Sequence, residues 1–597
     1  MKAFVYSIRN YFSKPQNVIL VVLSVLLFFM TLLPLVSLVR ETFIVHPAEL
    51  PVIKGSKLND FTLYHWKKVF ADKSSSTIFY RPIKNSFIIS IGSSATALIT
   101  GGLLAWLITR TDMKYKRLVS SLIMLPYMMP SWTLALAWRN IFRNSYSGGS
   151  IGLFTALTGI EMPNWFCYGA FPIIIALGIH YAPFAYILIG SVLRNMDANL
   201  EEAAQLLHAS RFKILTKVTF PITLPAILST ILLVFSSSFG SYAVIIFLGS
   251  ATKYQVLTTQ MFSKLNGTNP GVGYVMSVIM ITIGVSILMF NQFITGTRKS
   301  YTTVTGKSGN ISVLRLKKWR GMISWLVLIF VLLVAVVPLI SFAVESITDV
   351  PGVYTLDNFT LRYWIGAAER NANNGEAGIL RNPNVWSALW NTMKVSFIAA
   401  FIAGTIGVLC GYATAKAKGT KMATLLTNLA FFPYLMPSLA FGATYLAMLS
   451  KQYGPIPSFY GTIWMLVIAG SAKYLPFASR SGYNAMMQIG NSIEEAAVIM
   501  GVPWWKRMTK IIFPIQKSSF ISGYLLPFIS SMREYSLYAL LCVPATRVLT
   551  TLLYAYNERG IDQYANAINL LIIIIVVLVN LIINKVTGAS IDRGIGG

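Results

Sequence analysis

The sequence predicts an all-α integral membrane protein with about twelve transmembrane helices, laid out as two tandem six-helix halves. Three observations carry this. Of 597 residues, 55% are hydrophobic and only 12% charged, with a mean hydropathy of +0.63, where soluble domains carry about 25% charged residues. Apolar stretches of about 20 residues, long enough to cross a bilayer core, recur along the whole chain. Motifs of the first half return in the same order in the second.

The spans of the first half fall near 17–39, 84–108, 118–138, 170–192, 222–248 and 273–294; those of the second fall near 322–344, 390–414, 424–449, 462–484, 517–541 and 564–584. The first is too long for a signal-peptide core and lacks a small-residue cleavage pattern, so it reads as a retained span. Loops with Arg110, Lys114, Lys116 and Arg117, with Lys416, Lys418 and Lys421, and a central segment with Arg298, Lys299, Lys307, Arg315, Lys317, Lys318 and Arg320 fall on one side. That side also holds both termini and is expected to be cytoplasmic. The net charge of +29 therefore reflects topology, and nucleic acid is not an expected partner. Cys167, Cys410 and Cys542 are far apart and suggest neither a disulfide framework nor a zinc site.

The expected organisation is a first half over 1–300, a linker over 301–320 rich in Ser, Thr, Gly and Lys, and a second half over 321–597. Phe61-Thr62-Leu63 with Trp66 recurs as Phe359-Thr360-Leu361 with Trp364, and Asn85-Ser86 as Asn391-Thr392. Pro126-Tyr127-Met128-Met129-Pro130 recurs as Pro433-Tyr434-Leu435-Met436-Pro437, and Leu257-Thr258-Thr259 as Leu549-Thr550-Thr551. With an even number of spans per half the repeats share one orientation, and a pathway at their interface is expected.

One repeated stretch is polar and follows the fourth span of each half. It reads Glu201-Glu202-Ala203-Ala204, then His208 and Pro221, and again Glu494-Glu495-Ala496-Ala497, then Gly501 and Pro514, with no insertion between the copies. Carboxylates suit the first turn of a helix, alanines allow close approach of another surface, and Gly501 can turn the chain. Leu206, Leu207, Ile499 and Met500 supply an apolar face. The expected element is a short amphipathic helix between two spans, suited to docking in a groove or to lying on lipid headgroups; two copies in phase favour a twofold partner.

This stretch resembles the Glu-Ala-Ala loop of ABC-importer permeases. The second copy, Glu495, Ala496, Ala497, Gly501 and Pro514, matches the pattern fully; the first, Glu202, Ala203, Ala204 and Pro221, has His208 where the pattern has Gly. The whole chain looks like the fused permeases of the ferric-iron and thiamine importers. The resemblance implies the type I importer fold, a bacterial cytoplasmic-membrane location, and coupling helices that dock on two cytoplasmic ATP-binding-cassette ATPase subunits. It also implies an extracellular or periplasmic solute-binding protein as partner. No cofactor is expected on this chain, ATP and magnesium being used by the ATPase partners. Gly306-Lys307-Ser308 lacks the leading glycine of a phosphate-binding loop, Tyr301 standing there, so the chain is expected to be a permease and not itself an enzyme.

Ionisable residues within spans are candidates for the translocation pathway. Arg533-Glu534 lies in the fifth span of the second half, opposite Phe239, Gly240, Ser241 and Tyr242 of the first. These segments resemble the Arg-Glu-Leu and Asp-Phe-Gly patterns of iron-type permeases, with Tyr535 for Leu and Ser238 for Asp. The sequence leaves open a self-neutralising Arg–Glu pair or a gate. His180 and Lys473 occupy equivalent places in the fourth spans and either line the pathway or snorkel to an interface. No metal site is expected, and His65 reads as a surface residue. The expected function is import by alternating access, with ferric iron first, a small organic anion (sugar phosphate or phosphonate) second, and thiamine or a polyamine third. An ion-coupled secondary transporter is the rival class, which needs intramembrane carboxylates beyond Glu534; a membrane enzyme lacks a catalytic cluster.

Overall fold

In lipid, a spanning segment has to satisfy its own backbone amides, which selects helices. The computed structural model describes Tyr6 and residues 10–147, 150–196, 198–296, 313–368, 375–452, 454–455 and 457–587. Gly306-Lys307-Ser308, Arg298 and Lys299 lie outside these residues. Within them the regular secondary structure is helical, and three isolated β-bridges join loop segments. Shorter turns aside, the first half contains α1 (Pro15–Glu41), α2 (Ser76–Arg110), α3 (Lys116–Met128), α4 (Ser131–Phe142), α5 (Ala170–Asn195), α6 (Ala198–Leu206), α7 (Phe212–Phe239), α8 (Ala243–Gly249), α9 (Leu257–Leu265) and α10 (Pro270–Gly296). The second repeats the series as α11 (Lys317–Ile347), α12 (Pro383–Lys416), α13 (Lys421–Leu435), α14 (Ser438–Leu449), α15 (Ile463–Gln488), α16 (Asn491–Ile499), α17 (Lys517–Met532), α18 (Ser536–Leu541), α19 (Leu549–Glu558) and α20 (Asp562–Thr587).

Among the described residues, eight helices are long and apolar enough to cross a membrane, or ten if each bent pair is one span. Three differences from the twelve-span reading have physical causes. The third spans are not straight: α3 and α4 meet at 95°, α13 and α14 at 109°, because Pro130 and Pro437 cannot donate to the preceding turn. The fifth spans are interrupted, α7 ending before Gly240 and α17 before Arg533, each followed by a short helix. The fourth span of the second half, α15, is a full 26 residues but carries Lys473, Arg480 and several small polar residues, which lower its apolarity.

The repeated motifs make the same bonds twice. Trp66 Nε1 donates to Thr42 Oγ1 at 3.2 Å, and Trp364 Nε1 to Ser346 Oγ at 3.1 Å. The Ser86 hydroxyl accepts from the Leu257 amide and the Thr392 hydroxyl from the Leu549 amide, both at 2.9 Å. Asn85 and Asn391 donate to the carbonyls of Gln255 and Arg547. Within each half the second and fourth spans cross closely at small residues. A Cβ on Gly101 would meet the Ala182 carbonyl, and one on Gly407 would meet Ala478, the contact that small residues permit between membrane helices.

The halves are interlocked. α1 packs on α12, α13 and α14, and α11 packs on α3 and α4. Each crossing carries an ion pair between a first span and the far end of the other half's bent span, Lys451–Glu41 at 2.5 Å and Arg143–Glu345 at 3.4 Å. The Met30 carbonyl, which Pro34 deprives of its helical donor, accepts instead from the Tyr445 hydroxyl of the other half at 2.5 Å.

The surface assignment of His65 is corrected. Its ring is fully buried and lies 2.8 Å from the equally buried Glu49 carboxylate, which also accepts from the amides of His46 and Gly271. The loop folds back over the start of α10, a long-range closure that local patterning does not signal. Burial pushes the Glu49 carboxyl up, but the hydrogen bonds from His65, His46 and Gly271 and the His65 charge bring it net below its ordinary value. Glu49→Ala is expected to cost about 3–5 kcal/mol of stability, as for other broken buried pairs. In thermal unfolding the gap between variant and wild type is full above about pH 4.3 and narrows as pH falls through the lowered native pKa, by the part that the charge contributes.

Candidate functional site

The two Glu-Ala-Ala segments form α6 and α16, which begin three residues upstream of the expected start, so that Glu201 and Glu494 stand in the first turn. Their ends are the same capping motif. Ala209 N–H reaches the Ala204 carbonyl at 3.0 Å and His208 N–H the Gln205 carbonyl at 2.9 Å; Val502 and Gly501 repeat this on Ala497 and Val498 at 3.0 and 2.9 Å. This closure needs a left-handed residue. Gly501 supplies it at φ 71°, and His208 adopts it at φ 57° in place of glycine. The turn is therefore made in both copies.

Each helix is rooted through its first carboxylate. Glu201 is buried, 3.3 Å from Arg110 at the end of α2, and accepts from Thr219 at 2.9 Å. Glu494 is buried, 2.7 Å from Lys416 at the end of α12, and accepts from Tyr412 at 2.9 Å. These four residues were missed as a unit by sequence reasoning, which placed Arg110 and Lys416 among loop charges. The signal was their recurrence at the last position of the second span in each half. Glu202, Ala203, Glu495 and Ala496 are exposed, Ala204 is half-buried and Ala497 buried. Leu206 and Leu207 are each 82% exposed, Ile499 86% and Met500 73%. The arrangement is a pair of apolar knobs on helices whose bases are fixed.

The expected pathway residues meet where the broken fifth spans face each other. Tyr242 and Tyr535, equivalent in the repeat, stack across the halves at 5.9 Å with planes 12° apart, and both are buried, so the seam is closed at this level. Phe239 packs on Phe87 and Phe235. Ser241 is buried and its carbonyl accepts from Thr258 at 2.7 Å; the Glu534 carbonyl accepts from Thr550 at 2.8 Å. Arg533 and Glu534 do not pair. Arg533 crosses to the bend of the first half, donating to the Tyr127 carbonyl at 2.7 Å with its guanidinium over the Tyr127 ring. Glu534 accepts from the Leu537 amide at 2.9 Å, capping α18, and from the Tyr474 hydroxyl at 2.7 Å.

His180 and Lys473 each serve a third-span bend. His180 Nδ1 donates to the Pro126 carbonyl at 2.8 Å, and Lys473 Nζ donates to the carbonyls of Pro433 at 3.1 Å and Met436 at 2.5 Å. Pro126 and Pro433 lie four residues before Pro130 and Pro437, so the prolines remove the usual donor to their carbonyls, the Met436 amide reaching the Pro433 carbonyl only at 3.4 Å.

A membrane bundle of duplicated halves, each carrying a rooted helix between its fourth and fifth spans, defines a transport permease. The profile of the family described as binding-protein-dependent transport system inner membrane component matches residues 97–296 and again 403–593, and the chain belongs to that family as a fused two-half ABC-transporter permease. It is 25% identical over 513 residues to the ferric transport system permease protein FbpB of Actinobacillus pleuropneumoniae, covering 84% of this chain and 70% of the relative. It is 24% identical over 495 residues to a putative ferric transport system permease protein FbpB 1 of Haemophilus influenzae, covering 81% and 73%. A probable sulfate transport system permease protein of Prototheca wickerhamii is 28% identical over 179 residues, 30% of this chain and 66% of that one.

Substitutions at His208 test the capping geometry. His208→Gly is expected to stay within about 1 kcal/mol of wild type in thermal unfolding, relief of left-handed strain being offset by glycine's greater unfolded-state entropy. His208→Ile is expected to lose about 1–2 kcal/mol.

Proposed function

We propose that the chain forms the translocation pathway of an ATP-driven importer, taking a solute from an external binding protein and releasing it into the cytoplasm, with ferric iron as the cargo. The observation that carries this is the pair of matched helices α6 and α16. Their apolar ends are exposed while their first carboxylates are buried against the second spans. In this reading two ATPase subunits, which use ATP and magnesium, grip α6 and α16 from the cytoplasm, where both termini of the chain also lie. Closure of the ATPase dimer draws the two helices together. The Arg110–Glu201 and Lys416–Glu494 joints carry the displacement into α2 and α12, and the seam at Tyr242 and Tyr535 parts on the far side. Binding of the ATPase dimer has to differ between the two arrangements of the permease for ATP to drive the exchange.

Iron as cargo is supported by the two relatives named for ferric transport, which match most of the chain. A small anion is the second reading, favoured by the sulfate permease relative. Arg533, Lys473 and His180 lend an anion less support than their charge implies, since they are engaged with backbone carbonyls.

Leu207→Asp and Met500→Asp are each expected to reduce co-purification of co-expressed ATPase subunits at least about tenfold, a change of about 1.4 kcal/mol or more. Glu202→Ala and Glu495→Ala are expected to weaken it less. In proteoliposomes the assembled complex is expected to raise its ATP hydrolysis when ferric-loaded binding protein is added. Uptake that continues in cells lacking the ATPase would refute the reading.

A further inference from the structure

α4 and α20, which meet through Arg139, Asn140 and Arg143 at one end, carry buried polar side chains without hydrogen-bond partners. Asn569 is fully buried, and neither its amide nitrogen nor its carbonyl oxygen has a hydrogen-bond partner. The same is true of Nδ2 of Asn566, Oγ1 of Thr133 and Nε1 of Trp132, all on buried residues. These residues share two helix faces. On α20, Asp562, Asn566 and Asn569 are spaced by four and three; on α4, Thr133, Leu136 and Asn140 are spaced by three and four, with Arg143 capping its end and Trp132 beside them.

The two faces are joined at the end away from α6 and α16. Arg139 and Arg143 reach Asp562 at 2.9 and 3.3 Å, and Asn140 donates to Asn566 at 2.8 Å. α4 runs from its bend toward that end and α20 starts there, so the stripe passes inward from a charged mouth to Trp132, whose ring lies 5.7 Å from that of Tyr535. The polar file thus leads from one face of the protein to the tyrosine pair at the seam. A buried unpaired amide costs about 1–3 kcal/mol, and a leucine in its place carries no such cost. Polar groups orphaned in one arrangement make physical sense if another arrangement wets them.

Building on the permease reading, we infer that the α4–α20 seam is the hydrophilic wall of the translocation path on the side opposite α6 and α16. Thr133 and Asn569 face water and a hydrated, hydrogen-bonding solute when the halves part there. In the closed arrangement the same groups are shut off from bulk solvent, and the Arg139, Arg143 and Asp562 cluster closes the mouth above them.

The test is state-dependent accessibility. Thr133→Cys and Asn569→Cys are placed singly in the full chain with Cys167, Cys410 and Cys542 replaced by serine. Each variant is assembled with its ATPase subunits in nanodiscs and treated with the charged reagent 2-(trimethylammonium)ethyl methanethiosulfonate. Both cysteines are expected to react at least about tenfold faster with ATP and vanadate than without nucleotide. Leu466→Cys, buried in α15, is expected to stay unreacted in both conditions. Thr133→Cys is nearly isosteric, so it reports even where Asn569→Cys fails to fold. Rates no faster than at Leu466→Cys, in a complex whose ATP hydrolysis vanadate has stopped, overturn the inference while leaving the permease reading intact. Equal reactivity with and without nucleotide overturns it as well. A chain that binds no ATPase at all brings down both.

Discussion

The structure depends on one constraint of the lipid solvent: a carbonyl that loses its helical donor has to be given another, because no water is there to supply it. Prolines at the bends create such carbonyls, and the donors that answer them are the intramembrane polar residues. His180 answers Pro126 and Lys473 answers Pro433 within the halves, while Tyr445 answers Met30 from the other half. Arg533 reaches across to Tyr127 beside the same first-half bend. These bonds allow a span to fold back sharply without being expelled from the bundle. They also assign the expensive side chains an architectural duty before any transport duty. The first-half counterpart of Arg533 is Gly240, where a Cβ would stand 2.8 Å from Pro437. One half reaches across with a cation and the other by having no side chain at all.

The rooted helices and the bends belong to one mechanical train. α6 and α16 are stiff because a capping turn closes each one and a buried carboxylate ties each base to the end of a second span. Those second spans cross the fourth spans at contacts too close to accept a methyl group, and the fourth spans carry the residues that hold the bends. In the proposed import cycle these contacts are the route by which a displacement at the knobs would reach the tyrosine stack. Side-chain repacking along this route is costly because interiors packed at this density deform little.

The membrane class, the duplication and the two Glu-Ala-Ala helices were legible because each is a local or periodic feature of the chain. The repeated Asn-Ser, Leu-Thr-Thr and Trp signals were legible as repeats, and their meaning as paired caps and ties appears only when distant segments meet. The bends were hidden in the apolar count, which cannot distinguish a straight span from two helices at a right angle. Arg533 and Glu534 are neighbours in sequence, which invited pairing. Their side chains leave the helix end in different directions, one toward the other half and one back to cap α18. His65 looked like a surface residue because its partner Glu49 is recruited by a loop closing on α10, which no short-range pattern announces. Glu201 was overshadowed by Glu202, since the family pattern names the exposed carboxylate while the buried one does the anchoring.

The crossed first spans have a consequence for what moves. The sequence repeat divides the chain at the expected linker over 301–320, but packing divides it differently. α1 is bonded to the second half through Lys451 and Tyr445, and α11 to the first through Arg143. A rocking motion that preserves these contacts carries each leading helix along with its adoptive bundle, so the mechanical bodies are exchanged relative to the inherited ones. Neither inherited body owns its complete outer wall, and each would leave an apolar trough open to lipid if made alone.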